Sequence, residues 1–219
     1  MTEAPILKSL AERLSPRHSA LLVIDMQNDF CAEGGFVEAA LGKDAAACRA
    51  VVAPIMALVE HARKARVPVV WVRADYSPGK VPPHMAIKAH ERGTTAPFCH
   101  ADTWGSAFFG VTPAGDEAVV DKHCYSAFIG TELDARLHAM GVRTTVLAGV
   151  QTNVCIESTL RDAASLGFNV VVASDCVASH TRELHEATLK NAMFLFGDVV
   201  PAERIVKAWE SGSRVGAAA

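Results

Sequence analysis

The chain has 219 residues, half of them hydrophobic and 21% charged, with a formal net charge of −3. That length carries one sizeable core, and the composition excludes an intrinsically disordered chain. The slight negative balance gives no electrostatic footing for nucleic acid or for an anionic membrane.

The opening MTEAPILKSLAERLSPRHS has no basic start followed by an apolar stretch. No signal peptide is therefore expected, and the longest apolar runs, ALLVI and VVWV, are too short to cross a bilayer. The chain reads as a soluble cytoplasmic protein of one domain over 1–219, with a core from about 18 to 200. Its six cysteines, at 31, 48, 99, 124, 155 and 176, are scattered without C-x-x-C spacing and read as reduced thiols.

Residues 20–25, ALLVID, form an apolar run ending in an acid and predict a buried strand. The alanine-rich 44–65 has helical spacing, with Pro54 marking a kink or a break. VPVVWVR (67–73) predicts the next strand, EAVVDK (117–122) another, and GTELDARLHAMG (130–141) a helix stopped by Gly141. TTVLAG (144–149), a helix over 154–167, the strand NVVVASD (169–175) and a helix over 182–197 follow. Continuous rather than alternating apolar runs indicate strands covered on both faces. Their alternation with helices predicts an α/β fold: a Rossmann-like three-layer α/β/α sandwich around a mostly parallel sheet. Residues 74–116, with SPGKVPPH, RGTTAPF and VTPAG, fit no clear element and are expected to be a long active-site loop, a lid or a pocket wall.

Ligands of open parallel sheets bind at the C-terminal strand ends. Asp25 ends the first strand, Lys122 ends EAVVDK, and Cys155 follows TTVLAG by one short turn. Singly, each has an ordinary structural explanation: a cap, a solvated lysine, a buried small residue. Together they bring an acid, a base and a thiol to one edge. With Thr152 or Asn153 as N-cap, Glu157 and Arg161 as an i,i+4 pair and Gly167 as C-cap, Cys155 falls in a first helical turn. There the helix dipole is expected to lower the thiol pKa.

LLVIDMQNDF (21–30), the stretch 120–163 containing GVQTNVCIEST, and SDCVAS (174–179) closely resemble the isochorismatase-like cysteine hydrolase superfamily. The resemblance runs from about residue 20 to about 200. It implies a catalytic triad of Asp25, Lys122 and Cys155, and a cis peptide between Val150 and Gln151. That peptide would aim the Gln151 N–H, with that of Cys155, at one oxyanion. Members that split the vinyl ether of isochorismate lack the cysteine, so Cys155 implies amide-type C–N bonds. TNVCIESTLRDA is most similar to the ureidoacrylate amidohydrolase, biuret hydrolase and N-carbamoyl amidohydrolase branch. Nicotinamidase-like members hold a metal through an acid and two histidines after the second strand. Here WVRADYSPG offers Arg73 and Asp75 without a histidine pair, and His84 and His90 come later, so neither metal nor other cofactor is expected. The resemblance also implies a homodimer or homotetramer acting on a small-molecule amide or ureido substrate.

Further substrate contacts are expected from Phe30 as a pocket wall, Asn28 beside Asp25, Arg73 as a carboxylate holder, Trp104 in the loop, and Tyr125 next to Lys122. Each has a structural alternative: core packing, a turn cap, a surface arginine, a subunit contact. The basic stretch His84–Arg92 is expected to be a solvated face; if it closes over the site, it favours an anionic substrate. A nicotinamidase-like hydrolase and a non-catalytic scaffold of the same fold are the competing functional readings.

Overall fold

In the computed structural model, which describes residues 5–216, six strands form one sheet: β1 (Ser19–Ile24), β2 (Val69–Ala74), β3 (Ala118–Lys122), β4 (Thr144–Val150), β5 (Asn169–Ala178) and β6 (Asp198–Val200). Their order is β3-β2-β1-β4-β5-β6, and every pairing is parallel. Chain progression reverses between β1 and β4, the switch point at which such sheets open a crevice.

Both faces are covered, as the apolar runs require. Leu21, Val23, Trp71, Val146 and Ala148 point into one core with Ile55, Leu58, Val59, Ile205 and Trp209 from the helices Val52–Lys64 and Ala202–Gly216. The alternate residues Leu22, Ile24, Val70, Val72 and Leu147 meet Leu133, Leu137, Leu160 and Ala163 from Leu133–Ala139 and Glu157–Ser165 on the other. No helix among the described residues is long and apolar enough to cross a membrane.

Several boundaries differ from expectation. The 44–65 segment is two helices, Ala46–Ala50 and Val52–Lys64, that meet at Val51, and Pro54 sits within the first turn of the second, where no intrahelical N–H bond is lost. Residues 74–116 are not structureless. They contain a nine-residue helix, Pro83–Glu91, with Pro83 in its first position, and a 3₁₀ turn at Trp104–Ser106. Gly141 and Gly167 take positive φ (70° and 92°) just past their helices, as expected of such stops.

Candidate active site

The ends of β1 and β4 are drawn together by a glycine. Gly149 has φ +117°, and a Cβ there would lie 2.0 Å from the Ile24 carbonyl oxygen, so only glycine lets the two strands pass this closely. The residue after β1, Asp25, adopts the left-handed region (φ 54°), which aspartate tolerates better than most side chains. The Asp25 N–H still donates to the Val72 carbonyl (2.9 Å), so the link to β2 reaches one residue beyond Ile24. Gln27 then staples the neighbouring ends together. Its Nε2 donates to the carbonyls of Ala74 and Ser106 (both 3.0 Å), and its Oε1 accepts from the Ala74 N–H (2.8 Å).

Asp25, Lys122 and Cys155 meet in this space. Lys122 Nζ lies 2.9 Å from Asp25 Oδ2 and 3.5 Å from Cys155 Sγ, and both charged side chains are completely buried. The ammonium also lies within hydrogen-bond reach of the Cys124 carbonyl (3.0 Å) and the Tyr76 hydroxyl (3.1 Å), so its three N–H donors are shared among four partners. A lysine leaving a strand is ordinarily solvated; this one is fully satisfied by an acid, a thiol, a phenol and a carbonyl. Burial pushes the Asp25 carboxyl above its usual range, against the opposing pull of Lys122. Burial likewise opposes the Lys122 charge, but Asp25, then Cys155 and Tyr76, hold its pKa well above that of a free lysine. The arrangement sets a buried carboxyl–ammonium pair against a thiol.

The thiol departs from expectation. Cys155 lies in a π-helical turn, Thr152–Ile156, in which the Ile156 N–H bonds back five residues to the Gln151 carbonyl (3.2 Å), and only from Glu157 does a regular helix run. Neither proposed N-cap caps it: the Thr152 hydroxyl bonds the His185 ring (2.9 Å), and Asn153 Oδ1 accepts from Ser179 (2.6 Å). Burial pushes the Cys155 thiol up to about 12, Asp25 adds to this, and Lys122 only partly opposes it. The shift is thus opposite to the expected lowering: desolvation and an adjacent carboxylate raise the thiol. The Val150–Gln151 peptide is cis. The Gln151 side chain is locked between His180, whose N–H and Nδ1 both lie 3.0 Å from its Oε1, and Cys48, 3.4 Å from its Nε2.

The isochorismatase domain profile matches residues 19–204, which takes in all of these positions. The chain belongs to the isochorismatase family. It is similar to ureidoacrylate amidohydrolase RutB of Methylobacterium radiotolerans, at 34% identity over 84% of this chain and 76% of that protein. It is also similar to nicotinamidase 3 of Arabidopsis thaliana, at 30% identity over 85% of this chain and 86% of that one. Among solved structures, a cysteine hydrolase from Pseudomonas syringae pv. phaseolicola superimposes with a TM-score of 0.81 over 96% of this chain and all of that one, at 24% identity. This last match supports the shared isochorismatase-like hydrolase fold.

A cavity of about 590 Å³ opens above the thiol, walled by Phe30, Phe36, Tyr76, Phe98 and Tyr125 and flanked by several residues between 85 and 100. Of the expected substrate contacts, Phe30 and Tyr125 line this cavity. Three other expected contacts do not. Asn28 donates to the Trp104 carbonyl (2.7 Å) and fixes that turn rather than facing the cavity. Arg73 is drawn to its neighbour on β3, Asp121, through two bonds of 2.7 and 3.1 Å. Trp104 is 58% exposed and lies outside the lining. The His84–Arg92 stretch is not merely solvated: Met85, Ala86, Lys88, Ala89 and Arg92 line the cavity, while His84 packs edge-on to Tyr125 with centroids 5.9 Å apart.

Asp75, the acid after the second strand, is engaged by Lys80 and by Ser77 (2.6 Å). Burial works against its charge, yet these partners draw its pKa down to about 2. The described residues hold no cluster of three or more metal-ligating side chains. Two contributors went unnoticed in the sequence. Tyr76 follows Asp75 in ADYSPG, and Gln27 lies two residues beyond Asp25. Both sit beside residues already singled out, and proximity to a strand end is the signal that would have found them.

Proposed function

We propose that this chain is a cysteine-dependent amidohydrolase that cleaves a C–N bond of a ureido, carbamoyl or carboxamide substrate through a thioester, releasing ammonia or an amine. Family membership and the similarity to an amidohydrolase make it a hydrolase of amide C–N bonds. The observation that carries the finer reading is the buried Asp25–Lys122–Cys155 group at the floor of an apolar cavity.

A thiol with a pKa near 12 is neutral at rest, so it needs a base at the moment of attack. Asp25, whose pKa is raised but whose charge is held by Lys122, is placed to take the Sγ proton as the sulfur adds to the substrate carbon. The developing oxyanion is assigned to the N–H groups of Gln151 and Cys155. Asp25 then passes the proton to the leaving nitrogen, the C–N bond breaks, and a thioester remains. A water deprotonated by Asp25 adds to the thioester, the C–S bond breaks, and the proton returns to Sγ. Lys122 keeps its charge throughout and holds acid and sulfur in register. The step sequence uses no cofactor. Exposed Met193, Phe194 and Leu195 support the homodimer or homotetramer of the sequence reading.

The nicotinamidase-like alternative is favoured by the similarity to nicotinamidase 3 and by the aromatic walls. Ammonia release from biuret, ureidoacrylate, N-carbamoylsarcosine, nicotinamide and simple carboxamides, with Cys155→Ala as control, separates the two. Turnover of at least one ureido or open-chain amide, falling by on the order of 10⁴-fold in the control, is expected. Turnover of nicotinamide alone would give the alternative; full turnover by Cys155→Ala would remove the mechanism.

A further inference from the structure

The cavity over Cys155 is far larger than a compound such as biuret requires. At about 590 Å³ it lies within the range that takes drug-sized ligands. Its chemistry is uneven. Phe98, from the long loop, stacks on Phe36 (centroids 4.1 Å, 18°) and meets Phe30 (6.4 Å) and Tyr76 (5.0 Å) edge-on, which makes one wall a continuous aromatic surface. Val37, Leu41, Val81 and Met85 extend it. A polar ureido compound would leave that surface to water, at a cost proportional to the apolar area left wet.

The charges are one-sided as well. The lining includes Lys88, Arg92, His100 and His180 but no aspartate or glutamate. Lys88 is engaged by Glu91 (2.6 Å), whereas Arg92 has no ion-pair partner among the described residues. Tyr125 relates the two ends of the cavity, since its hydroxyl feels both the Cys155 sulfur and the Arg92 charge. The floor is thus the reacting group, the middle an apolar sleeve, and the rim an uncompensated guanidinium.

We propose that the substrate is an amide whose acyl part is a bulky aromatic or branched apolar arm ending in a carboxylate, the arm lying along Phe98 and Met85 and the carboxylate meeting Arg92. This rests on the amidohydrolase reading of the same site and narrows its substrate class. The arm desolvates the aromatic wall, and the planar guanidinium suits a carboxylate through paired N–H bonds.

A graded series tests it: acetamide, 3-phenylpropanamide and 3-(4-carboxyphenyl)propanamide, with ureidoacrylate and biuret alongside. We expect kcat/KM to rise at least about tenfold from acetamide to the phenyl compound, since even small apolar additions discriminate by such factors. The carboxylate should add about fivefold more, a gain that Arg92→Gln removes through KM. Arg92 is exposed, so this variant is expected to fold. Calorimetry with the product acid, 3-(4-carboxyphenyl)propanoate, gives a readout independent of turnover: wild type should bind it, and Arg92→Gln should bind it about fivefold more weakly. Preference for acetamide, biuret or ureidoacrylate would overturn the inference while leaving the thiol mechanism intact. Absence of Cys155-dependent turnover on every compound, with the acid still bound, would remove the amidohydrolase reading and leave the cavity assignment. Absence of binding and of the graded preference would overturn the inference itself.

Discussion

The floor and the roof of the cavity are built on opposite terms. The floor is charged, dry and held by strands: Asp25, Lys122 and Cys155 are buried at the ends of β1 and β3 and just past β4, with Lys122 bonded to Asp25, Tyr76 and the Cys124 carbonyl. The roof is apolar, half-exposed and carried by a nine-residue helix and turns, and Phe98 is held there chiefly by ring contacts. Buried ion pairs tolerate almost no displacement, because an unpaired charge in a dry site is costly. Apolar walls accept substitution at modest cost. On the proposed reading, the floor sets which bond is cleaved, and the roof sets which molecule is brought to it.

The sharpest way to break this division is Lys122→Met. It leaves the Asp25 carboxyl buried without its counter-ion, and we expect a stability loss of about 3–5 kcal/mol together with loss of turnover. Urea denaturation and ammonia release check the two parts. A folded, active Lys122→Met would show that the floor does not depend on the pair.

A pH profile sharpens the comparison by isolating the floor. In the proposed mechanism the carboxylate form of Asp25 is the base, and burial raises its pKa above the ordinary carboxylate value. On acidification, kcat/KM should therefore begin to fall above the usual carboxylate range and be lost as Asp25 takes up its proton. On the alkaline side no decline is expected through neutral and mildly basic pH, because burial pushes the Cys155 thiol up to about 12 and Lys122 titrates well above its usual value. An acid limb centred on an ordinary aspartate value would contradict the buried-base account.

The smallest effect belongs to a residue that only looks functional. Arg73→Ala removes an exposed ion pair with Asp121 and should change stability by less than about 1 kcal/mol and leave KM within twofold. A large rise in KM would return Arg73 to the site.

How much of this could be read from the sequence follows the same division. Asp25, Lys122 and Cys155 were legible because each follows a continuous apolar run, and parallel sheets gather strand ends at one edge. The roof was not, because VPPHMAIKAHER reads as a turn on account of its two prolines, although Pro83 at the first helical position is a start signal. The last strand and helix differ again: β6 has only three residues, too short a run to read as a strand, whereas the spacing of the buried Ile205 and Trp209 in Ala202–Gly216 is a helical signal that the sequence does carry. Asn28 and Arg73 failed as substrate contacts because their partners, Trp104 and Asp121, lie 76 and 48 residues away. The thiol's protonation state was misjudged because local spacing reports the helix end but not the burial that overrides it.

The most direct test of the central claim is rapid-quench mass spectrometry of the protein turning over an amide substrate, with peptide mapping of residues 144–161. The account predicts the substrate's acyl mass, less the departed amine, on Cys155 during steady state and its disappearance when substrate is exhausted. Product accumulating while Cys155 stays unmodified, together with undiminished turnover by Cys155→Ala, would contradict it.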